Sequence, residues 1–243
     1  MLAFIAHRGA SCYAPENTMP AFLLAHAMGA KSVECDVILT SDKIPVIIHD
    51  TYLDRTTNGK GKVNCRDYEY IQSLDAGSWF HPKFKGTKVP KLSELLIWQK
   101  QTGMALNLEI KPIHLQSFEA DLDIMMDNVY QYADLAKIKI LSFQYKIFKR
   151  LQTLNNKLPT ALEIPYCKRQ TIREAKDAAC QQINFSYRYL SENRIKDIHK
   201  AGLKVGIFTV NQLDKLKKLD VLNVDEVFTD DLKLLDGFKE NAI

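Results

Sequence analysis

The chain has little that would staple a small fold together or carry it through a membrane. Its five cysteines, Cys12, Cys35, Cys65, Cys167 and Cys180, form no Cys-x-x-Cys pair, and one is left over in any disulfide scheme. Reduced thiols are the simpler reading, and they suit a cytoplasmic protein better than a secreted one. No Cys/His ligand cluster is present, which argues against structural zinc. The apolar start "MLAFIA" meets His7 and Arg8 before it is long enough for a signal-peptide core. No later apolar run approaches membrane-spanning length. The expectation is a soluble cytoplasmic protein with no stable membrane association. Charge of one sign is not massed anywhere: 33 lysines and arginines are scattered among 29 acids, for a net +4, which argues against nucleic acid as a partner. Low-complexity tracts and internal repeats are also missing.

What is present is core-forming sequence. With 46% hydrophobic residues over 243 positions, one α/β domain spanning 1–243 can bury a large core. Short apolar runs alternate with longer amphipathic stretches, as when crossover helices join parallel strands. Strands are expected at Leu2–Ala6, Ser32–Leu39, Ala105–Ile110, Lys137–Leu141, Thr160–Ile164, Gln182–Phe185, Lys204–Phe208 and Glu226–Phe228. Helices are expected at Asn17–Met28, Leu92–Gln101, Gln116–Tyr132, Lys146–Leu154, Ser191–Lys200 and Gln212–Leu219, several with Ser, Asn or Thr at the capping position. Eight such units predict a TIM (β/α)8 barrel, whose chemistry sits where strands end and loops begin. Thr51 to Pro90 breaks the alternation with glycines, prolines and lysines and only a helical hint at Asp67–Leu74. It is expected to be an insertion over the barrel mouth.

Polar residues then appear where such strands end. In "SVECDVILT", Glu34 and Asp36 are two apart and share a strand face. Two inward carboxylates repel each other and lose hydration, a cost that a cation relieves. In "NLEIKP", Glu109 and Lys111 repeat the spacing. The run Val46–Ile48 delivers His49, and the opening run delivers His7 and Arg8. Each has a plainer alternative: a structural histidine, a solvated outer face, a snorkelling lysine, a surface ion pair. The outer-face alternative weakens in a barrel, where strands face either the interior or the helix layer. The coincidence of four strand ends favours a joint site.

Three carboxylates offer hard oxygen ligands suited to Mg²⁺, Ca²⁺ or Mn²⁺. Glu34, Asp36 and Glu109 with a divalent ion, Arg8 and Lys111 leave the site at +1, which a phosphodiester would neutralise. His7 and His49 can exchange protons near neutral pH, supplying a base for the attacking oxygen and an acid for the leaving alkoxide.

On these residues the chain resembles the glycerophosphodiester phosphodiesterase family. The matching motifs run in order: "AHRG", "APENTMPAF", "VECDVILTSD", "PVIIHD", "LDRTTNGKG", "LNLEIKP", Ser142-Phe143, "TVN" at Thr209–Asn211 and "DEVFTD". The resemblance implies a TIM barrel with a small insertion after the second strand unit, and release of sn-glycerol 3-phosphate from a small-molecule glycerophosphodiester. It implies His7 and His49 as general acid and base, Glu34, Asp36 and Glu109 as divalent-metal ligands, and Arg8 and Lys111 as phosphate holders. Two positions depart from the family pattern. Lys43 stands where glycine is usual, so a lysine is expected in a conformation glycine adopts more easily. Phe208 stands where many relatives carry tryptophan, which bears on substrate preference. Two rival readings are a lysophospholipase D-type diesterase, with Trp79, Phe80 and Phe84 meeting an acyl chain, and a catalytically silent barrel that binds phosphorylated ligands.

Overall fold

A computed structural model describes residues 2–154 and 157–240. In chain order the strands are β1 (Ala3–Ala6), β2 (Ser32–Leu39), β3 (Pro45–Ile47), β4 (Ala105–Ile110), β5 (Ile138–Ser142), β6 (Thr160–Ile164), β7 (Gln182–Ser186), β8 (Lys204–Phe208) and β9 (Glu226–Thr229). The helices are α1 (Met19–Ala27), α2 (Tyr68–Ser73), α3 (Leu92–Thr102), α4 (Phe118–Tyr132), α5 (Tyr145–Thr153), α6 (Arg169–Asp177), α7 (Glu192–Lys200), α8 (Leu213–Val221) and α9 (Leu234–Glu240). Eight strands pair in parallel, and β1 closes the ring by pairing with both β2 and β9. This is the expected (β/α)8 barrel.

The apolar run ending at His49 is not one of the eight. Its residues Pro45–Ile47 form β3, which runs antiparallel to β2 through Val37–Ile47 and Ile38–Val46 and extends the sheet beyond the ring. The turn joining β2 to β3 carries Lys43 at φ 64, the left-handed conformation expected of it. Its ammonium lies 2.7 Å from Asp121 of α4, an ion pair that offsets part of a backbone cost of about 1 kcal/mol.

Helix starts differ from the sequence reading in one respect. Thr18, Ser117 and Ser191 occupy N-cap positions, but none makes the side-chain cap bond. Thr18 instead donates to the Pro15 carbonyl at 2.6 Å and Ser117 to the Asp121 carboxylate at 2.6 Å. Within the 51–90 segment, α2 does carry a working cap: the Asp67 side chain accepts from the Tyr70 amide. That segment has a small core of its own, formed by Leu53, Val63, Ile71, Leu74, Ala76 and Val89 with Val46 of β3 and Ile48 just past it.

The main core lies between strands and helices, while the barrel interior is filled by Ile5, Leu141, Ala161 and Phe228. Below this apolar layer a polar one joins Lys139, Glu226, Gln182 and Asn184.

Gly9 sets the first loop against α1. It sits at φ +82, and a Cβ there would lie 2.7 Å from the Ala21 backbone carbon. Gly9→Ala therefore meets both backbone strain and a clash, together about 2 kcal/mol or more. A melting temperature lower by about 4–8 °C is the expected result, read by thermal denaturation.

Candidate active site

The register of β2 and β4 gathers the acids. Asp36 is paired with Glu109 across the ladder, and Glu34 with Asn107 one step below. Alternation along β2 turns Glu34 and Asp36 inward and Cys35 outward into the core. All three carboxylates are buried, with one oxygen from each lying within 4.8 Å of the others. Lys111, just past β4, places its ammonium 2.7 Å from both Asp36 and Glu109. Arg8, just past β1, has its Nε 3.3 Å from Asp36 and donates from NH1 to Glu16 at 2.8 Å. Its backbone amide donates to Glu34 at 2.9 Å.

His7 and His49 both border the same cavity of about 110 Å³, whose walls include Arg8, Glu34, Glu109 and Glu163 and the contiguous rings of Phe143, Phe208 and Phe228. His7 places Nε2 4.0 Å from Glu34 and Nδ1 2.7 Å from Asp230. His49 places Nδ1 2.6 Å from Asp50. Arg55, from the 51–90 segment, donates to Asp50 at 2.5 and 3.2 Å and to both oxygens of Glu16 at 2.7 and 2.8 Å. A chain of charges thus runs from Arg8 through Glu16, Arg55 and Asp50 to His49.

All seven residues singled out in the sequence, His7, Arg8, Glu34, Asp36, His49, Glu109 and Lys111, come together. Several neighbours escaped that reading. Glu163 on β6 is a fourth buried acid, receiving a 3.3 Å hydrogen bond from Asn184. Asn17, at φ 57, donates to Asp36 at 2.6 Å. An acid inside the apolar strand "TALEI" is the same signal that exposes Glu34 and Glu109, so Glu163 was discoverable. Asp230, directly after β9 and the last residue of "DEVFTD", carried the strand-end signal too, whereas Glu16, in a loop, did not.

Electrostatics show too little positive charge for the acids gathered. Burial, then the neighbouring Asp36 charge, pushes Glu34 well above the usual carboxylate range. Burial, then Glu163 and Asp36, does the same to Glu109. Burial raises Glu163 to about 7. Of these four clustered acids only Asp36 is held well below the usual range, because Lys111 and Arg8 outweigh its burial. An oxygen-only donor set that two cations leave under-neutralised fits a hard divalent ion. Burial lowers the His49 ring, against the pull of Asp36. Burial acts to raise Asp230, but bonds from His7, Asn211 and Ser11 bring it down to about 2.

The insertion's aromatics pack mostly on one another. Trp79 meets Phe80 edge-on at 5.6 Å and Phe80 meets Phe84 at 5.7 Å, with Trp79 40% exposed. Among the described residues no helix is long and apolar enough to cross a membrane.

The chain is similar to known proteins over nearly its whole length. The model of the glycerophosphoryl diester phosphodiesterase family matches residues 7–234. A Bacillus subtilis protein provisionally named a glycerophosphodiester phosphodiesterase is 36% identical over 98% of both chains. The glycerophosphodiester phosphodiesterase of Caldanaerobacter subterraneus is 30% identical over 95% of both. An Oleispira antarctica phosphodiesterase, solved in complex with the product sn-glycerol-3-phosphate, superposes with a TM-score of 0.93 at 31% identity, over 98% of this chain and 96% of that one.

Proposed function

The chain belongs to the glycerophosphoryl diester phosphodiesterase family, and on that footing we propose that it hydrolyses glycerophosphodiesters to sn-glycerol 3-phosphate and an alcohol. The observation that carries this reading is one small cavity bordered by two histidines, a buried carboxylate cluster and the guanidinium residue Arg8.

Glu34, Asp36 and Glu109 would hold the divalent ion, Mg²⁺ or Ca²⁺ by donor chemistry, with Mn²⁺ acceptable to the same oxygens. Bound there, such an ion polarises a phosphoryl oxygen and offsets developing charge. Arg8 and Lys111 hold the phosphate. One histidine takes the proton from the attacking oxygen, belonging to water or to the substrate's neighbouring hydroxyl. A new P–O bond forms as the bond to the departing alcohol breaks, and the other histidine protonates that alcohol. The aromatic wall of Phe143, Phe208 and Phe228 receives an organic arm of the diester. Five free cysteines, two of them exposed, support a reducing, cytoplasmic setting.

Arg8 gives a prediction about the clamp. Its guanidinium already spans Glu16 and Asp36, and a planar fork can do this while facing phosphate; a lysine ammonium offers only a compact charge. Steady-state kinetics of Arg8→Lys should show a loss nearly as large as that of Arg8→Ala. Wild-type rates in Arg8→Lys would make Arg8 an ion-pair residue only.

The substrate class is tested by a panel of glycerophosphodiesters and lysophospholipids assayed for sn-glycerol 3-phosphate or, for a lysophospholipid, its phosphorylated lipid product. Preferential turnover of the water-soluble diesters is expected. Preference for lysophospholipids would favour the phospholipid diesterase reading instead, and turnover of none would leave a silent barrel.

A further inference from the structure

Two motifs late in the chain, "TVN" after β8 and the final Asp of "DEVFTD" after β9, have no part in the reaction set out above. In the structure they meet the start of the chain. Asp230 Oδ1 lies 2.7 Å from His7 Nδ1, across 223 residues of sequence. Its Oδ2 accepts from Asn211 Nδ2 at 2.6 Å. Asn211 is fixed in turn, its Oδ1 accepting from the Asp230 amide at 2.9 Å and from the Thr229 hydroxyl at 3.1 Å. The Ser11 hydroxyl lies 2.8 Å from the His7 carbonyl and 3.1 Å from Asp230 Oδ1, its single proton serving one at a time.

An ionised carboxylate only accepts hydrogen bonds, so the His7 nitrogen facing it must be the donor. The proton of the neutral ring then sits on Nδ1, and Nε2, on the side of Glu34 and the cavity, keeps its lone pair for proton exchange. Asp230 differs here from Asp50, which shares its charge with Arg55; the side-chain partners of Asp230 other than His7 are the neutral Asn211 and Ser11.

We propose that Asp230, locked by Asn211, is a positioning residue that fixes the His7 tautomer and aims Nε2 at the reacting centre. The assignment rests on the proposed reaction for its catalytic meaning. The last strand and the β8 loop thereby reach a histidine that directly follows the first strand. Asp230→Asn is the sharpest change, because an amide has one acceptor oxygen where two donors converge, His7 Nδ1 and Asn211 Nδ2. One of them must face an NH2 group, or the imidazole must move its proton to Nε2.

Two measurements test it. Long-range ¹H–¹⁵N correlation of wild-type protein above the ring's titration should show His7 protonated on Nδ1 and bare on Nε2; a proton on Nε2 would overturn the proposal. Asp230→Asn should lose about 10²–10⁴ in kcat, the range for an acid or base group or its orienting partner, with KM within about threefold and an unchanged thermal transition. Asn211→Ala should lose about tenfold, since it removes the lock and leaves the carboxylate. A correctly folded Asp230→Asn enzyme with kcat within about twofold of wild type would overturn the positioning role. Should that variant not fold, the wild-type tautomer alone decides. That spectrum needs no substrate, so an inactive wild type with the Nδ1 tautomer would count against the reaction alone.

Discussion

Replacing His7 or His49 by alanine is expected to lower kcat by about a hundredfold to ten-thousandfold, the usual contribution of a positioned acid or base. Both rings border the one cavity, and each has Nδ1 tied to a carboxylate, so each is oriented and neither duplicates the other. Substrate affinity should survive, because Arg8 and Lys111 remain. The way the two losses combine is informative: groups acting in one concerted step are not additive, so the double variant should be little worse than the poorer single one. Unimpaired turnover in both single variants would remove the acid/base assignment. The same assay separates two routes. When the attacking oxygen is the substrate's own neighbouring hydroxyl, intramolecular attack needs little positioning by the protein, and a diester with that hydroxyl replaced by hydrogen binds without reacting. Rapid cleavage of the deoxy analogue assigns the attack to water.

Chelation is expected to abolish activity and to lower the melting temperature together. Glu34 and Glu109 are pushed up by burial and by neighbouring acids because Lys111 and Arg8 under-neutralise the cluster. An ion that binds only the folded chain removes that strain. At about a hundredfold excess over Kd it adds about 2.7 kcal/mol, which for a chain of this size moves Tm by about 5–10 °C. Differential scanning fluorimetry with and without EDTA, followed by Mg²⁺ or Ca²⁺ add-back, reads the effect. Glu109→Gln should melt with little dependence on either ion. If EDTA changes neither Tm nor turnover while a diester is still cleaved, the three carboxylates are not a metal site.

The barrel strands were legible because each is a compact apolar run, and a parallel barrel strand is buried on both faces. Helix α6, "RQTIREAKD", was not legible: Ile172 and Ala175 are its only apolar positions, too few to mark a stripe. The antiparallel character of β3 was hidden for a related reason, since an apolar run gives no direction, and only the short turn through Lys43 forces the chain back along β2. The seven candidate residues were visible because a charge at the end of an apolar run stands out locally. Glu16 and Arg55 sit in loops where charge is ordinary, and their roles, like that of Asp230 just past β9, exist only through contacts between distant segments, such as Arg55 with Glu16 across 39 positions. The same limit applies to Phe208, whose identity was noted but whose edge-on contact with Phe143 at 6.0 Å in the cavity wall needs the closed barrel.

The most direct test is a ³¹P NMR time course of the purified chain with glycerophosphocholine and Mg²⁺ or Ca²⁺. The diester resonance should give way to that of sn-glycerol 3-phosphate, stop on addition of EDTA, and resume when the ion is restored in excess. Persistence of the diester signal under all of these conditions, or conversion that continues unchanged in EDTA, would contradict a metal-dependent glycerophosphodiester phosphodiesterase.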